Sequence, residues 1–344
     1  MKRQLTRLIF PTLFLSMFVL IFEPAPVKSA NLNVALSIPM KHYRVKDWYK
    51  PYADKIAKLT NGKVKLVIFA SNSLVKDSGA WDAVNSGLAD MAEVKIYTTP
   101  GRFTFEGIVT AGLTKGVKRS HGNDNKAVWS AYENISKVKK EFASVKTLWF
   151  FTLKGNVIYS IKPVRNLEDL KGMKLRTNSG SPAVAMGKLG AVPVSVPYGA
   201  TYSAIEKGVA EGVVTSPAGA WAKKFHEVAP YITVIPSTGS ITFAFVMNLK
   251  KWNSLSKEVQ AVFNDMTGEM QSQRIGELAD RMDSVTLQKS LNNGGKAIKL
   301  DPGERSKWEN ILQVMAKDYG SQLDKTGKPG TITIQYIKKK IESY

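Results

Sequence analysis

The sequence predicts an α/β protein of two lobes, each a sheet with helices packed on it, and three observations carry that prediction. Strand-like and helix-like segments alternate from residue 31 onward in a β-α-β-α-β rhythm. About 314 residues remain once a leader-like N-terminus is set aside, enough for two hydrophobic cores. An apolar strand over residues 145–153 breaks at Lys154-Gly155-Asn156 and resumes over 157–161, as a strand does when it crosses between lobes.

The first thirty residues read as a secretory signal peptide. Lys2, Arg3 and Arg7 form a basic start, residues 8–22 are apolar, and residues 23–30 are a proline-containing exit ending in small residues. The apolar run is short for a membrane span, and cleavage is expected near Ser29 or Ala30. The chain has no cysteine, which excludes disulfides, thiolate metal sites and a cysteine nucleophile. An exported chain without disulfides fits a bacterial periplasm. The net charge of +21 falls to +18 without the leader (45 basic against 27 acidic residues), a field that attracts acidic ligands. The charges are scattered, the longest basic run being residues 338–340, and no nucleic-acid-binding motif is present, so nucleic acid is not an expected partner.

Residues 31–38 alternate and read as a first strand. Val45, Trp48, Tyr52, Ile56 and Leu59 then recur at helical spacing before the turn Thr60-Asn61-Gly62. Residues 63–69 alternate lysine with Val64, Leu66 and Ile68, a second strand. A short helix over 81–86 closes at Gly87, and 89–95 is a third strand. After the loop Pro100-Gly101-Arg102-Phe103, residues 105–111 are apolar and 123–139 are helical. Beyond the crossover come strands over 193–196 and 211–215 and a helix over 200–207. Residues 231–249 carry no charge, but the turn residues 236–240 make them two strands rather than a membrane span. Residues 253–256 cap one long helical pattern over 257–291, long enough to buttress both lobes. A strand (297–300), a helix (304–325) and a basic C-terminal helix close the chain. The first lobe is expected to span 31–153, completed by about 240–282, and the second 154–239, completed by about 283–344.

The stretch with most chemistry is residues 166–190. Met173 to Arg176 read as a strand, a polar turn (Thr177, Asn178, Ser179, Gly180) follows, and a helix begins at Ser181 with Pro182 in its first turn. A guanidinium offers a planar fork that matches a carboxylate, and free N–H groups point from a helix start. A plain surface charge after a strand reads equally well from local chemistry.

Several segments, in order, then resemble one family: Gly87-Leu88-Ala89-Asp90-Met91, the Pro100 loop, residues 167–176 ending in Arg176, Gly190-Ala191-Val192-Pro193-Val194, Gly208-Val209-Ala210-Glu211-Gly212 and Phe245-Val246-Met247-Asn248. Together they resemble the periplasmic substrate-binding proteins of tripartite ATP-independent periplasmic (TRAP) transporters, over nearly the whole mature chain. The resemblance implies a two-domain periplasmic-binding-protein clamshell that closes on an organic acid, and the long helical pattern over 257–291 would span both of its lobes. It implies that Arg176 pairs with the acid's carboxylate, and that the acid is handed to the membrane permease subunits. Two departures bear on the ligand. Many relatives carry a second arginine where this chain has Asn156, and one branch has Pro-Trp-Glu where this chain has Pro217-Ala218-Gly219. A metal-bridged ligand is therefore not expected, no cofactor is implied, and a ligand with one essential carboxylate fits.

Other site candidates keep two readings each. Asn178 and Ser179 bond the carboxylate or cap a helix. Tyr198 and Ser216 line the cleft, as in relatives, or pack locally. Trp221 and Phe243 form an apolar wall or plain core. Phe151 and Lys154 sit at the hinge or in the pocket; His42 faces the cleft or solvent; Arg102 contacts ligand or makes a structural ion pair. The chain is expected to be a monomer. The rival is a periplasmic serine enzyme of the penicillin-recognising type, from Ser73-Leu74-Val75-Lys76 and Lys325-Thr326-Gly327. It lacks the S-D-N element, and S-x-x-K recurs at Ser136 and Ser254 as chance allows in a lysine-rich chain.

Overall fold

The computed structural model describes residues 30–99, 101–108, 120–238 and 240–344; the leader and part of the apolar stretch 105–111 lie outside them. Two sheets organise the chain. The first has the order β2 (Val64–Phe69), β1 (Ala30–Ala35), β3 (Met91–Lys95), β10 (Ser240–Asn248) and β4 (Val145–Lys154). The second runs β11 (Lys296–Ile298), β9 (Tyr231–Val234), β5 (Val157–Ser160), β8 (Gly212–Thr215), β6 (Lys174–Arg176) and β7 (Val192–Val194).

β2, β1 and β3 pair in parallel through helical crossovers. β10 then enters antiparallel between β3 and β4, so the first sheet is completed by chain that follows the second. Hydrophobic residues cover both faces of each sheet, which is why β4 and β10 are almost continuously buried rather than alternating. Trp149 is fully buried between strand and helix and stacks on Phe245 at 4.4 Å. A buried aromatic of this kind stabilises the lobe by roughly 2–3 kcal/mol.

The β4–β5 and β9–β10 connections pass between the sheets in the middle of the chain, and they are tied together. Gly155 O accepts from Thr238 N and Oγ1, each at 3.1 Å, and Asn156 O accepts from Ile235 N at 2.9 Å. The β4–β5 crossing is thus bonded to the β9–β10 return.

Three expectations are corrected. The pattern over 257–291 is two helices, Lys257–Asp265 and Glu269–Asn292, because Gly268 turns at φ 91° and donates its N–H to Leu148 O at 2.7 Å. The second alone has 24 residues, about 36 Å at the helical rise. It packs on the helix His121–Asn134 and β4 of the first lobe and on the helix Pro217–Ala222 of the second. The helix expected over 123–139 breaks at Ile135, which is extended (φ −107°, ψ 99°). The closing helix Gly330–Glu342, expected with the second lobe, seats Ile337 and Ile341 in the first lobe's core. The preceding helix Pro302–Lys325 bridges both, with Trp308 and Leu312 in the second core and Ala316 in the first.

Candidate functional site

A cavity of about 490 Å³ opens between the sheets. The first lobe contributes Ser37 to Pro39 and Lys41 to Arg44 at the end of β1 and the start of the following helix, Lys95 from β3, Leu153 and Lys154 from β4, and Ile241 and Phe243 from β10. The second lobe contributes Asn178, Tyr198, Thr215, Ser216, Gly219 and Lys223. Lys41, Arg44, Lys95, Lys154 and Lys223 are among the lining residues, and among the described residues no Asp or Glu is.

Arg176 ends β6 and is 6% exposed. Its Nε donates to Val196 O at 3.2 Å and its Nη1 to Asn178 Oδ1 at 3.0 Å, while the Tyr198 ring lies 4.9 Å from its Cζ. Asn178 and Tyr198 reach the cavity wall, so the guanidinium stands directly behind two lining residues. Tyr198 OH shares a 3.1 Å hydrogen bond with Thr215 Oγ1. Burial pushes the phenol up to about 12 against the pull of that bond and of Arg176, so it stays protonated. Ser216 caps the helix Pro217–Ala222, accepting from Gly219 N at 3.2 Å, and also lines the cavity. A Cβ on Gly219 would stand 2.5 Å from Tyr198 Oη and 2.9 Å from Thr215 Oγ1, so a side chain there would have to displace the Tyr198 hydroxyl.

His42 lies in the cavity wall. Its Nδ1 accepts from Arg44 N at 3.1 Å, and burial, with the charge of Arg44, lowers its pKa to about 3, leaving a neutral imidazole. Phe243 is on the wall and stacks on Phe151 at 4.4 Å, the planes 4° apart. Lys154 reaches the wall while pairing with the buried Asp124 at 3.1 Å.

The structure separates the other candidates from this cavity. Trp221 stacks on His226 at 4.9 Å, because the turn of its helix aims it away from the cleft. Arg102 is exposed on the first lobe, its Cζ 5.7 Å from the Trp81 ring and its carbonyl bound by Lys328 Nζ at 2.8 Å. Asn156 serves the crossing through its backbone and is not in the wall. Ser179 faces a neighbouring cavity of about 470 Å³, on the far side of Ile241.

Two groups escaped the sequence reading. Arg44 falls one and two turns before Trp48 and Tyr52, on the apolar stripe of its helix; a charge on such a stripe was the available signal. Asp283 sits on the face of Glu269–Asn292 that meets both lobes. Its Oδ1 accepts from Ala218 N at 3.0 Å, and one turn earlier Asp280 accepts from His121 N and Nδ1 at 2.9 and 2.7 Å. Burial is the largest single influence on Asp280 and works against its charge, but the hydrogen bonds from His121 together with the nearby positive charge outweigh it and hold the carboxyl low. For Asp283 burial dominates, and its carboxyl is pushed up.

A two-sheet α/β chain with a basic cleft between the sheets has the form of a solute receptor. Residues 37–322 match the family model described as DctP, bacterial extracellular solute-binding protein, family 7, and the chain belongs to that family. The family is one of solute-binding receptors, not enzymes, which closes the serine-enzyme reading. A solute-binding protein of Albidiferax ferrireducens is 26% identical over 276 residues, covering 79% of this chain and 80% of that one. The C4-dicarboxylate-binding periplasmic protein DctP of Rhodobacter capsulatus is 24% identical over 315 residues, covering 84% and 90%. Among solved structures, a TRAP solute-binding protein specific for aromatic acid ligands, from an unidentified marine metagenome microbe, superposes with a TM-score of 0.84 at 24% identity, over 92% and 99%.

Proposed function

We propose that this chain is a periplasmic receptor that takes an organic acid by its carboxylate at Arg176 and delivers it to a TRAP-type permease. The observation that carries the reading is the buried guanidinium at the end of β6, held in one orientation by Val196 O and Asn178 beneath Tyr198, at the edge of a cleft lined by cations. An arginine so fixed meets a carboxylate with little ordering left to do, and Asn178 is placed to exchange its bond to Arg176 for one to the ligand. The basic cleft raises the local concentration of anions.

The lobes divide at the tied crossings near Gly155 and Thr238, and the receptor works as a monomer. The ligand bridges the lobes, and closure removes water from the ion pair and strengthens it. Driving the closed form from 1:99 to 99:1 takes about 5.5 kcal/mol of differential binding, which charge-assisted hydrogen bonds of about 1.5–3 kcal/mol each supply only if several form at once. Export by the leader places the receptor beside its permease.

Native mass spectrometry of freshly purified protein, with a thermal-shift screen of carboxylic acids, identifies the ligand. Arg176→Ala is expected to keep the fold and lose carboxylate-induced stabilisation; Arg176→Lys is expected to bind poorly, since an ammonium cannot reproduce the fork. Undiminished stabilisation of Arg176→Ala would overturn the assignment.

A further inference from the structure

Two buried titratable groups meet where the helix Glu269–Asn292 passes from one lobe to the other, and ligand binding gives them no task. His121 opens the first-lobe helix His121–Asn134, and Asp283 lies on the long helix where it meets the second lobe; both are buried. Asp280 accepts from His121 N and Nδ1 at 2.9 and 2.7 Å and from Gly122 N at 3.3 Å. Nδ1 therefore carries the proton, and Nε2 keeps a single lone pair, which accepts from the Lys154 amide at 3.3 Å. Lys154 ends β4, one residue before the crossing at Gly155.

Asp283 Oδ1 accepts from Ala218 N at 3.0 Å, in the first turn of the second-lobe helix Pro217–Ala222. Its Oδ2 is buried without a hydrogen bond and lies 3.8 Å from that same Nε2 of His121. A buried carboxylate oxygen with no donor is costly, and burial already pushes this carboxyl up, against the pull of His121 and Ala218 N. A proton placed between Oδ2 and Nε2 would draw the two atoms together to about 2.8 Å. The lone pair cannot serve the Lys154 amide as well, so the two bonds are alternatives.

The neighbouring groups leave this proton to the pair. Lys154 Nζ is held by Asp124 at 3.1 Å. Tyr43, Tyr159 and Tyr198, on which the Asp283 charge acts, are each pushed up to about 12, chiefly by burial, and stay protonated. The helix Pro217–Ala222 carries no titratable side chain. The long helix cannot slide to absorb the movement, because Gly276 packs so closely that a Cβ there would stand 2.6 Å from the His121 backbone.

We propose that the Nε2 lone pair of His121 is a proton-operated switch of the lobe angle, holding the Lys154 amide when Asp283 is ionised and the Asp283 carboxyl when a proton is bound. Proton uptake frees the amide beside the crossing and draws the Ala218 helix of the second lobe toward His121 of the first. The protonated and unprotonated chains then rest at different lobe angles, and acidification populates the bridged one. The switch goes beyond the carboxylate reading of the cleft and does not depend on it.

The test is pulsed dipolar spectroscopy of the ligand-free mature chain. Because the chain has no cysteine, Lys76→Cys and Lys207→Cys, exposed positions on the two lobes, carry the only two spin labels. Label separation is measured from about pH 8 to about pH 5, the range of histidine and raised-carboxyl chemistry. His42, lowered to about 3, stays neutral throughout. The wild-type mean separation is expected to shift by about 2 Å or more across that range. Asp283→Asn keeps the acceptor for Ala218 N and places a permanent donor facing Nε2, so it should show the low-pH separation at every pH. His121→Gln, which cannot titrate, should show no shift. A wild type whose separation is independent of pH overturns the switch. So does a shift retained in either variant, or Asp283→Asn resting at the high-pH separation.

Discussion

Replacing His42 by asparagine isolates the cost of holding a neutral imidazole inside the cleft. Asparagine keeps an acceptor for the Arg44 amide two residues on and cannot titrate. Burial and the neighbouring Arg44 lower the His42 pKa from 6.5 to about 3. Between those values the unfolded chain binds a proton that the folded chain refuses, so stability rises with pH and is lost as pH falls below 6.5. At about 1.36 kcal/mol for each pH unit inside that window, the wild type should lose about 2 kcal/mol more than His42→Asn between pH 7 and pH 5, and about 3 kcal/mol more by pH 4. Urea unfolding of both mature chains at pH 7, 5 and 4 measures the difference directly, because the carboxylates they share cancel. If the two pH profiles run parallel within about 0.5 kcal/mol, His42 protonates freely in the folded state and the account of its burial fails.

Three further substitutions test the scaffold. Gly276→Ala should destabilise by about 1–3 kcal/mol in urea, since its Cβ would lie 2.6 Å from the backbone of His121 and Gly122, forcing two packed helices apart. Gly219→Ala should cost little stability but at least tenfold in ligand affinity by calorimetry, because its Cβ displaces the flexible Tyr198 end and breaks the bond to Thr215. Asp283→Asn keeps the acceptor for Ala218 N and removes a charge that burial disfavours. It should raise the unfolding midpoint at pH 7, and the gain should shrink on acidification as the wild-type carboxyl takes up its proton.

The readable part of the site was local. Arg176 was visible as an arginine closing a short strand before a polar turn, and the structure finds it at the end of β6 with Asn178 as its partner. Tyr198, Ser216, Phe243 and His42 likewise lie in the cavity wall. Where the sequence left two readings open, the choice depended on which way an element faces. Trp221 is on the expected helix but stacks on His226, and Arg102 is in the expected loop but on the outer surface. Spacing gives an element its period; its rotation about its own axis is set by the neighbours it packs on.

The same division holds for the chain as a whole. Export-like leader, basic charge, absence of cysteine, the alternation of strands and helices and the order of motifs are all written along the chain, because each depends on residues close in sequence. Tertiary contact decided the rest. β10 inserts between β3 and β4 only because two distant strands present complementary edges. The helical pattern over 257–291 breaks where Gly268 reaches Leu148 O, a partner about 120 residues away. Arg44 reaches the cleft because Phe151 and Phe243, from separate strands, stack to receive it. Those energies come from groups that the chain brings together only on folding, so no window of sequence contains them.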